Sequence, residues 1–83
     1  MDAIIEDEII RPQATSRNGK HIYLQKFRFE KDQRIEYRFT YYMIGFKAGA
    51  RGRWVFGQYS VFIPPEDLKW LLKEARARNW PGF

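Results

Sequence analysis

Residues 34–46, RIEYRFTYYMIGF, decide the fold of this 83-residue chain. Apolar and aromatic side chains occupy every second position from Ile35 to Met43, and mostly polar or charged side chains lie between them. A period of two is typical of a half-buried antiparallel strand, because successive side chains point to opposite faces of a sheet. We therefore predict a strand with one face on a core and the other toward solvent.

The segment before this strand extends the sheet. Residues 20–30 are rich in β-branched and aromatic side chains, which favour strands. Between Leu24 and Phe27 the apolar side chains switch from one face of the strand to the other, which predicts a β-bulge near Gln25. The polar tripeptide KDQ at 31–33 is short enough to join the two strands as a hairpin.

Two further segments are candidates for strands. Residues 54–63 form a strand pattern that follows a basic, glycine-rich loop, KAGARGR at 47–53. Residues 1–11 contain four isoleucines that alternate poorly, which fits either a short first strand or a partly ordered acidic arm. The sheet is therefore predicted to have about four strands.

A helix follows the last strand. The stretch IPPEDLKWLL at 63–72 places proline in a first helical turn, where its missing N–H breaks no hydrogen bond. Glu66 and Asp67 complement the helix dipole at that end. The apolar stripes of the helix and strands predict the core, which comprises Tyr37, Phe39, Tyr41, Val55, Val61, Leu68, Leu71 and Leu72.

These elements describe one α+β domain over residues 1–83. Residues 1–19 are the arm or first strand plus a loop, residues 20–63 the antiparallel sheet, and residues 64–80 the C-terminal helix.

Composition restricts the classes of function. The chain has no cysteine and one histidine, which excludes disulfides and thiolate metal sites, so we expect no metal and no cofactor. Residues 1–10 carry four acids and no base, whereas residues 11–63 carry eleven Lys and Arg against three acids, a difference of +8. A basic sheet favours a polyanionic partner, although dispersed lysines and arginines also simply keep a protein soluble.

The N-terminal sequence bears on location. MDAIIEDEII is acidic where a signal peptide is basic, and no apolar run approaches the roughly 18 residues of a membrane span. We therefore expect a cytoplasmic protein.

No motif names a reaction, so we expect no enzymatic activity. Glu30, Asp32 and Glu36 could form an acidic cluster at the hairpin, but ion pairs with neighbouring bases are the simpler role. His21 could be the general base of a small ribonuclease, although a single histidine at a strand start is more often packed or solvated. The ribonuclease stays as a second alternative.

The sheet face away from the helix suggests a binding function. If the strands at 34–46 and 54–63 pair through the basic loop, cations and aromatic rings share one surface: Arg38, Tyr42, Lys47, Arg51, Arg53, Trp54 and Phe56. Single-stranded DNA or RNA needs this combination, because bases stack on rings while cations follow the phosphates. The first alternative is a protein-interaction or regulatory module whose aromatic face is buried in a partner.

Trp70 lies off the predicted apolar stripe of the helix. A symmetric homodimer would cover such a side chain and would also stabilise a short chain without disulfides, so Trp70 is the candidate dimer interface. The alternative is that Trp70 lies flat on the surface of its own domain.

The order of elements carries a family resemblance. The strands, the basic glycine loop and the junction at 63–72 resemble the transcriptional-coactivator and Pur-alpha type of single-strand-binding domain. The resemblance covers residues 20–83 as a pattern. It implies a curved four-stranded antiparallel sheet, one helix and a dimer that cradles single-stranded DNA or RNA, and it assigns no individual binding residue.

Overall fold

A computed structural model of the chain describes residues 2–13, 19–44, 54–56 and 60–83. The elements are β1 (Ala3–Pro12), β2 (His21–Phe29), β3 (Ile35–Ile44), β4 (Trp54–Phe56) and α1 (Pro65–Ala77). Neighbouring strands pair antiparallel in the order β1-β2-β3-β4. The predicted α+β class, an antiparallel sheet followed by one C-terminal helix, is confirmed.

The edge strand β4 is much shorter than the predicted strand at 54–63. Its three residues pair with the end of β3, from Tyr42 opposite Phe56 to Ile44 opposite Trp54. Residues 57–59 lie outside the described part, and residues 60–63 are not in a strand, so the prediction is wrong there. The chain instead leaves the sheet toward α1, and Val61 and Ile63 pack against the core.

The hairpin between β2 and β3 forms as predicted. The amide of Phe29 donates to the carbonyl of Arg34 (3.0 Å), and the amide of Gln33 donates to that of Phe29 (2.8 Å). Gln33 takes a left-handed conformation with φ of 60° to close the turn.

The β-bulge predicted near Gln25 is wrong. The register of β2 with β3 is continuous, and the irregularity lies in β1, between Ile5 and Asp7. The physical reason is that β2 is the central strand of the three long ones and buries side chains on both faces, including Leu24 and Phe27. Its apolar positions therefore change face without any change in register.

The acidic N-terminal segment is the edge strand β1 rather than an arm, and it pairs along the whole of β2. Its bulge turns two consecutive acids to the helix side of the sheet. Glu6 accepts from Arg28 (2.8 Å), while Asp7 accepts from Arg78 near the end of α1 (3.2 Å). A bulge thus lets one strand present both carboxylates to cations.

The core lies between the sheet and α1, which packs against β1. It consists of Ile9, Ile22, Leu24, Leu71, Ala75 and Trp80, with Tyr37, Val61, Ile63 and Phe83 packed against it. Of the predicted core, Leu71 is confirmed, Tyr41 is buried, and Tyr37 and Val61 are partly buried.

For three residues, the prediction that they belong to the core is wrong. Phe39, Leu68 and Leu72 are each more than a third exposed, and the side chain of Val55 lies outside the described part. The stripe that α1 buries runs through Asp67, Leu71 and Ala75, because Asp67 bonds inward to β1. The leucines at 68 and 72 therefore lie beside the contact.

The C-terminus of α1 has the hydrogen bonds of a Schellman motif. The amide of Trp80 donates to the carbonyl of Ala75 and that of Asn79 to Arg76, both at 3.0 Å. Asn79 adopts φ of 58°, which asparagine tolerates better than most residues. This turn brings Trp80 back into the core, where it stacks on Tyr37 with ring centroids 5.6 Å apart. At 13 residues, α1 is too short and too polar to cross a bilayer, and no other helix occurs among the described residues.

Candidate nucleic-acid interface

The sheet has one face turned away from α1, which we call the distal face. In β1, β2 and β3 its side chains include Glu8, Tyr23, Gln25, Phe27, Glu36, Arg38, Thr40 and Tyr42. Alternation assigns them to this side, since the residues between them, such as Leu24 and Ile9, contact the core under α1.

A hydrogen-bond network crosses the middle of the distal face over three strands. Gln25 is fully buried at its centre. Its Nε2 donates to Glu8 Oε1 in β1 (2.7 Å), and Arg38 Nε in β3 donates to its Oε1 (2.9 Å). A carboxylate only accepts hydrogen bonds and a guanidinium only donates them, so Glu8 and Arg38 together fix which way the Gln25 amide points.

Arg38 also lies on an aromatic ring. Its guanidinium carbon is 4.9 Å from the centroid of the buried Phe27 ring. The Arg38 side chain is exposed, so a cation is presented to solvent on an apolar support. An open pocket beside it is lined by Phe27, Phe29, Glu36, Tyr37 and Arg38.

Two tyrosines form an aromatic pair on the same face. The ring centroids of Tyr23 and Tyr42 are 4.6 Å apart with planes inclined at 60°. Burial raises the pKa of the Tyr23 hydroxyl, and Glu8 and Tyr42 nearby raise it further. The pair therefore places two aromatic rings side by side on the distal face.

The predicted binding residues are described in part. Arg38 and Tyr42 lie on the distal face, and Tyr42 pairs in register with Phe56, as expected if β3 and β4 are neighbours. Only the strand pairing is described for Trp54 and Phe56. The loop residues Lys47, Arg51 and Arg53 lie outside the described part of the chain.

Sequence reasoning did not select Glu8, Tyr23 and Gln25 as site residues. A signal for two of them was present, because Ile22 and Leu24 face the core and the residues alternating with them must face away. No comparable signal existed for Glu8, whose face depends on the bulge in β1.

Several cations in the described part of the sheet are ion-paired. Glu6 lies between Arg28 (2.8 Å) and Lys26 (3.2 Å) on the helix side, and these two cations hold its pKa below the usual value. Arg34 pairs with Asp32 (2.8 Å) and with Glu36 at the hairpin. Among the described residues, acidic partners therefore interrupt the positive charge of the sheet.

The candidate catalytic groups have structural contacts. The cluster at the hairpin is ion-paired through Arg34, and the amide of Glu30 donates to the carbonyl of Asp2 (2.9 Å). His21 places Nδ1 3.0 Å from the carbonyl of Gly19. Within residues 2–13, 19–44, 54–56 and 60–83, no three acidic or histidine side chains converge as metal ligands.

The ring of the candidate dimer residue Trp70 contacts a cation of its own domain. The guanidinium carbon of Arg11 lies 5.0 Å from its ring centroid, yet 38% of the residue is exposed. Arg11 is in turn held by Asp67 Oδ1 at 2.8 Å. The ring therefore rests partly on its own domain and partly in solvent.

Comparison with known proteins identifies no relative: no family model, no curated protein and no solved structure matches the chain.

Proposed function

We propose that this protein binds single-stranded DNA or RNA on its distal face without chemistry. The observation that carries the proposal is an exposed arginine, Arg38, stacked on Phe27 on the same face as the Tyr23–Tyr42 pair. A single strand offers unstacked bases for the rings and phosphates for the cation. A duplex offers its phosphates but no open base faces.

The proposed surface extends beyond the described residues. Lys47, Arg51 and Arg53 would hold phosphates from the loop, and Trp54 and Phe56 would add stacking rings on a full fourth strand. The register of Tyr42 with Phe56 supports this extension, because it brings the start of that strand beside the tyrosine pair.

We propose a cytoplasmic homodimer of the transcriptional-coactivator and Pur-alpha type, with Trp70 at the interface. The support is the shared order of elements and the partial exposure of the Trp70 ring.

Titration with a labelled single strand tests the function. At about 50 mM salt the protein should bind the strand more tightly than its duplex, and binding should weaken as salt is raised, because counterions released from phosphates favour binding. The double variant Arg51→Ala with Arg53→Ala should flatten the salt dependence by up to about two units in slope, less for single strands. Trp54→Ala should cost roughly 1–3 kcal/mol with little change in slope.

The outcomes separate this function from its rival. Absence of single-strand binding by the wild-type protein at low salt would reject the proposal. The rival is a protein-interaction or regulatory module whose partner covers the aromatic face. That module would leave single strands unbound, and Trp54→Ala would then change the affinity for a protein partner instead.

A further inference from the structure

The strongest unexplained feature of the distal face is a glutamine buried without a helix above it. Gln25 is fully buried, and both ends of its amide are used: one donates to Glu8 and the other accepts from Arg38. A buried amide is costly unless its hydrogen bonds are made, and here both partners come from neighbouring strands. The buried amide therefore connects two charged side chains, Glu8 and Arg38, across three strands.

The network restricts the conformation of the Arg38 side chain. An arginine on a strand normally samples many rotamers, and fixing it costs conformational entropy when a ligand binds. In this protein the Nε bond to Gln25 (2.9 Å) and the contact with the Phe27 ring hold the guanidinium in one orientation. The Arg38 side chain therefore loses its conformational entropy when the protein folds, and little more is lost when a ligand binds.

We propose that Glu8 and Gln25 are positioning residues that hold the Arg38 guanidinium over Phe27 for contact with a phosphate of the bound strand. The inference rests on the proposed single-strand binding function and assigns Arg38 a phosphate contact. Glu8 anchors the amide nitrogen of Gln25, and this holds the amide oxygen at the position where Arg38 donates to it. This role explains why an acidic residue, Glu8, lies on a face that is proposed to bind a polyanion: it holds the Gln25 amide that positions Arg38.

Two substitutions at one position separate orientation from charge. Glu8→Gln and Glu8→Met remove the same negative charge, but only Glu8→Gln keeps an oxygen that accepts from Gln25. Loss of a negative charge alone should tighten binding of a labelled single-stranded oligonucleotide. We expect Glu8→Gln to bind as tightly as the wild type or more tightly, and Glu8→Met to bind roughly two- to tenfold more weakly, the effect of losing one hydrogen bond.

A double-variant cycle tests whether Gln25 acts through Arg38. Gln25→Met keeps length and charge but removes both bonds, and we expect it to weaken binding by a similar factor. In an Arg38→Ala background the same change should have no further effect, because the group that it positions is absent. Melting curves of all variants identify any that simply fold poorly, and only variants folded at the assay temperature enter the cycle.

A spectroscopic measurement reports the orientation without ligand. The Arg38 Nε–H resonance should be protected from exchange with water in the wild type and Glu8→Gln, and exposed in Glu8→Met and Gln25→Met. Additive losses in the cycle, wild-type binding by Gln25→Met or an unprotected Nε–H in the wild type would each overturn the inference. Normal binding by Arg38→Ala would overturn it while leaving single-strand binding intact. If the wild-type protein does not bind single strands at all, both the proposed function and the positioning role of Glu8 and Gln25 are wrong.

Discussion

Asp67 is a buried charge in the first turn of α1, with no exposed surface. Its Oδ1 accepts from Arg11 at 2.8 Å, and its buried Oδ2 has no hydrogen-bond partner within the described part of the chain. Arg11 is less buried, with 30% of its side chain exposed. The two partners therefore depend on each other unequally, because Arg11 can be hydrated when it loses Asp67 and the carboxylate cannot be when it loses Arg11.

This asymmetry makes a prediction about two single variants. Arg11→Met should destabilise the protein by about 3–5 kcal/mol, since it leaves an uncompensated carboxylate inside. Asp67→Asn should cost clearly less, and the double variant should recover part of the loss. Chemical denaturation measures all three. Arg34→Met is the control, because the ion pairs of Arg34 are half exposed and screened by water, so losing them should change the free energy of unfolding far less. Equal losses for Arg11→Met and Asp67→Asn would contradict the argument.

Asp7 gives a prediction about pH. Burial would raise its pKa, but hydrogen bonds from the Glu8 amide, Arg78 and Trp80 Nε1 outweigh burial and hold the pKa of Asp7 below its ordinary 3.8. A lowered folded-state pKa stabilises the protein above 3.8, and that stabilisation is lost as the pH falls through the folded value. The wild type should therefore melt above Asp7→Asn at neutral pH, and the difference should shrink below pH 3.8. A constant difference across the acid range would assign it to packing instead.

At the scale of elements, α1 shows how a stripe can be misplaced by one position. Leu71 is fully buried, whereas Leu72 is 38% exposed, although both belong to the predicted stripe. Leu71→Ala should cost about 2–5 kcal/mol, and Leu72→Ala should cost less than about 1 kcal/mol in the monomer, because much of its surface stays in water. Denaturation at low protein concentration compares the two. A larger loss for Leu72→Ala would mean that the helix packs on its other flank.

The sheet and the helix differ in how much their sequences reveal. Period-two patterns in β3 and the KDQ connection predict the hairpin, because both signals are local. The position of α1 over β1 is not local. It depends on Asp67 reaching Arg11, 56 residues away, and an acid in a first turn gives no sign of burial. Likewise, Arg38 was predicted on the binding face from alternation alone, whereas its support by Glu8 and Gln25 depends on the register across three strands.

The whole molecule is thin, with extents of 41 × 30 × 18 Å, because one helix packs against one edge of the sheet. Apolar side chains remain exposed on both flanks of that helix. Trp70 lies on one flank beside Arg11, while Leu68 and Leu72 lie on the other. A small domain gains stability by covering such a surface with a second copy, and stable dimers bury roughly 800 Å² from each partner.

We therefore expect a homodimer that uses α1, with the ring of Trp70 in the contact. Sedimentation at micromolar concentration should give about twice the 10.1 kDa mass of the chain. Trp70→Ala should weaken association by removing apolar area, and Trp70→Glu should weaken it further if the new charge is buried without a partner. Because Arg11 lies 5.0 Å from the ring, Glu at position 70 could pair with it inside one chain, so Trp70→Ala is the decisive variant.

Leu72→Glu is the matched variant on the opposite flank. If Leu72→Glu is a monomer and Trp70→Ala is still a dimer, the interface lies on the leucine flank. If the wild type is a monomer at every concentration, the homodimer prediction is wrong.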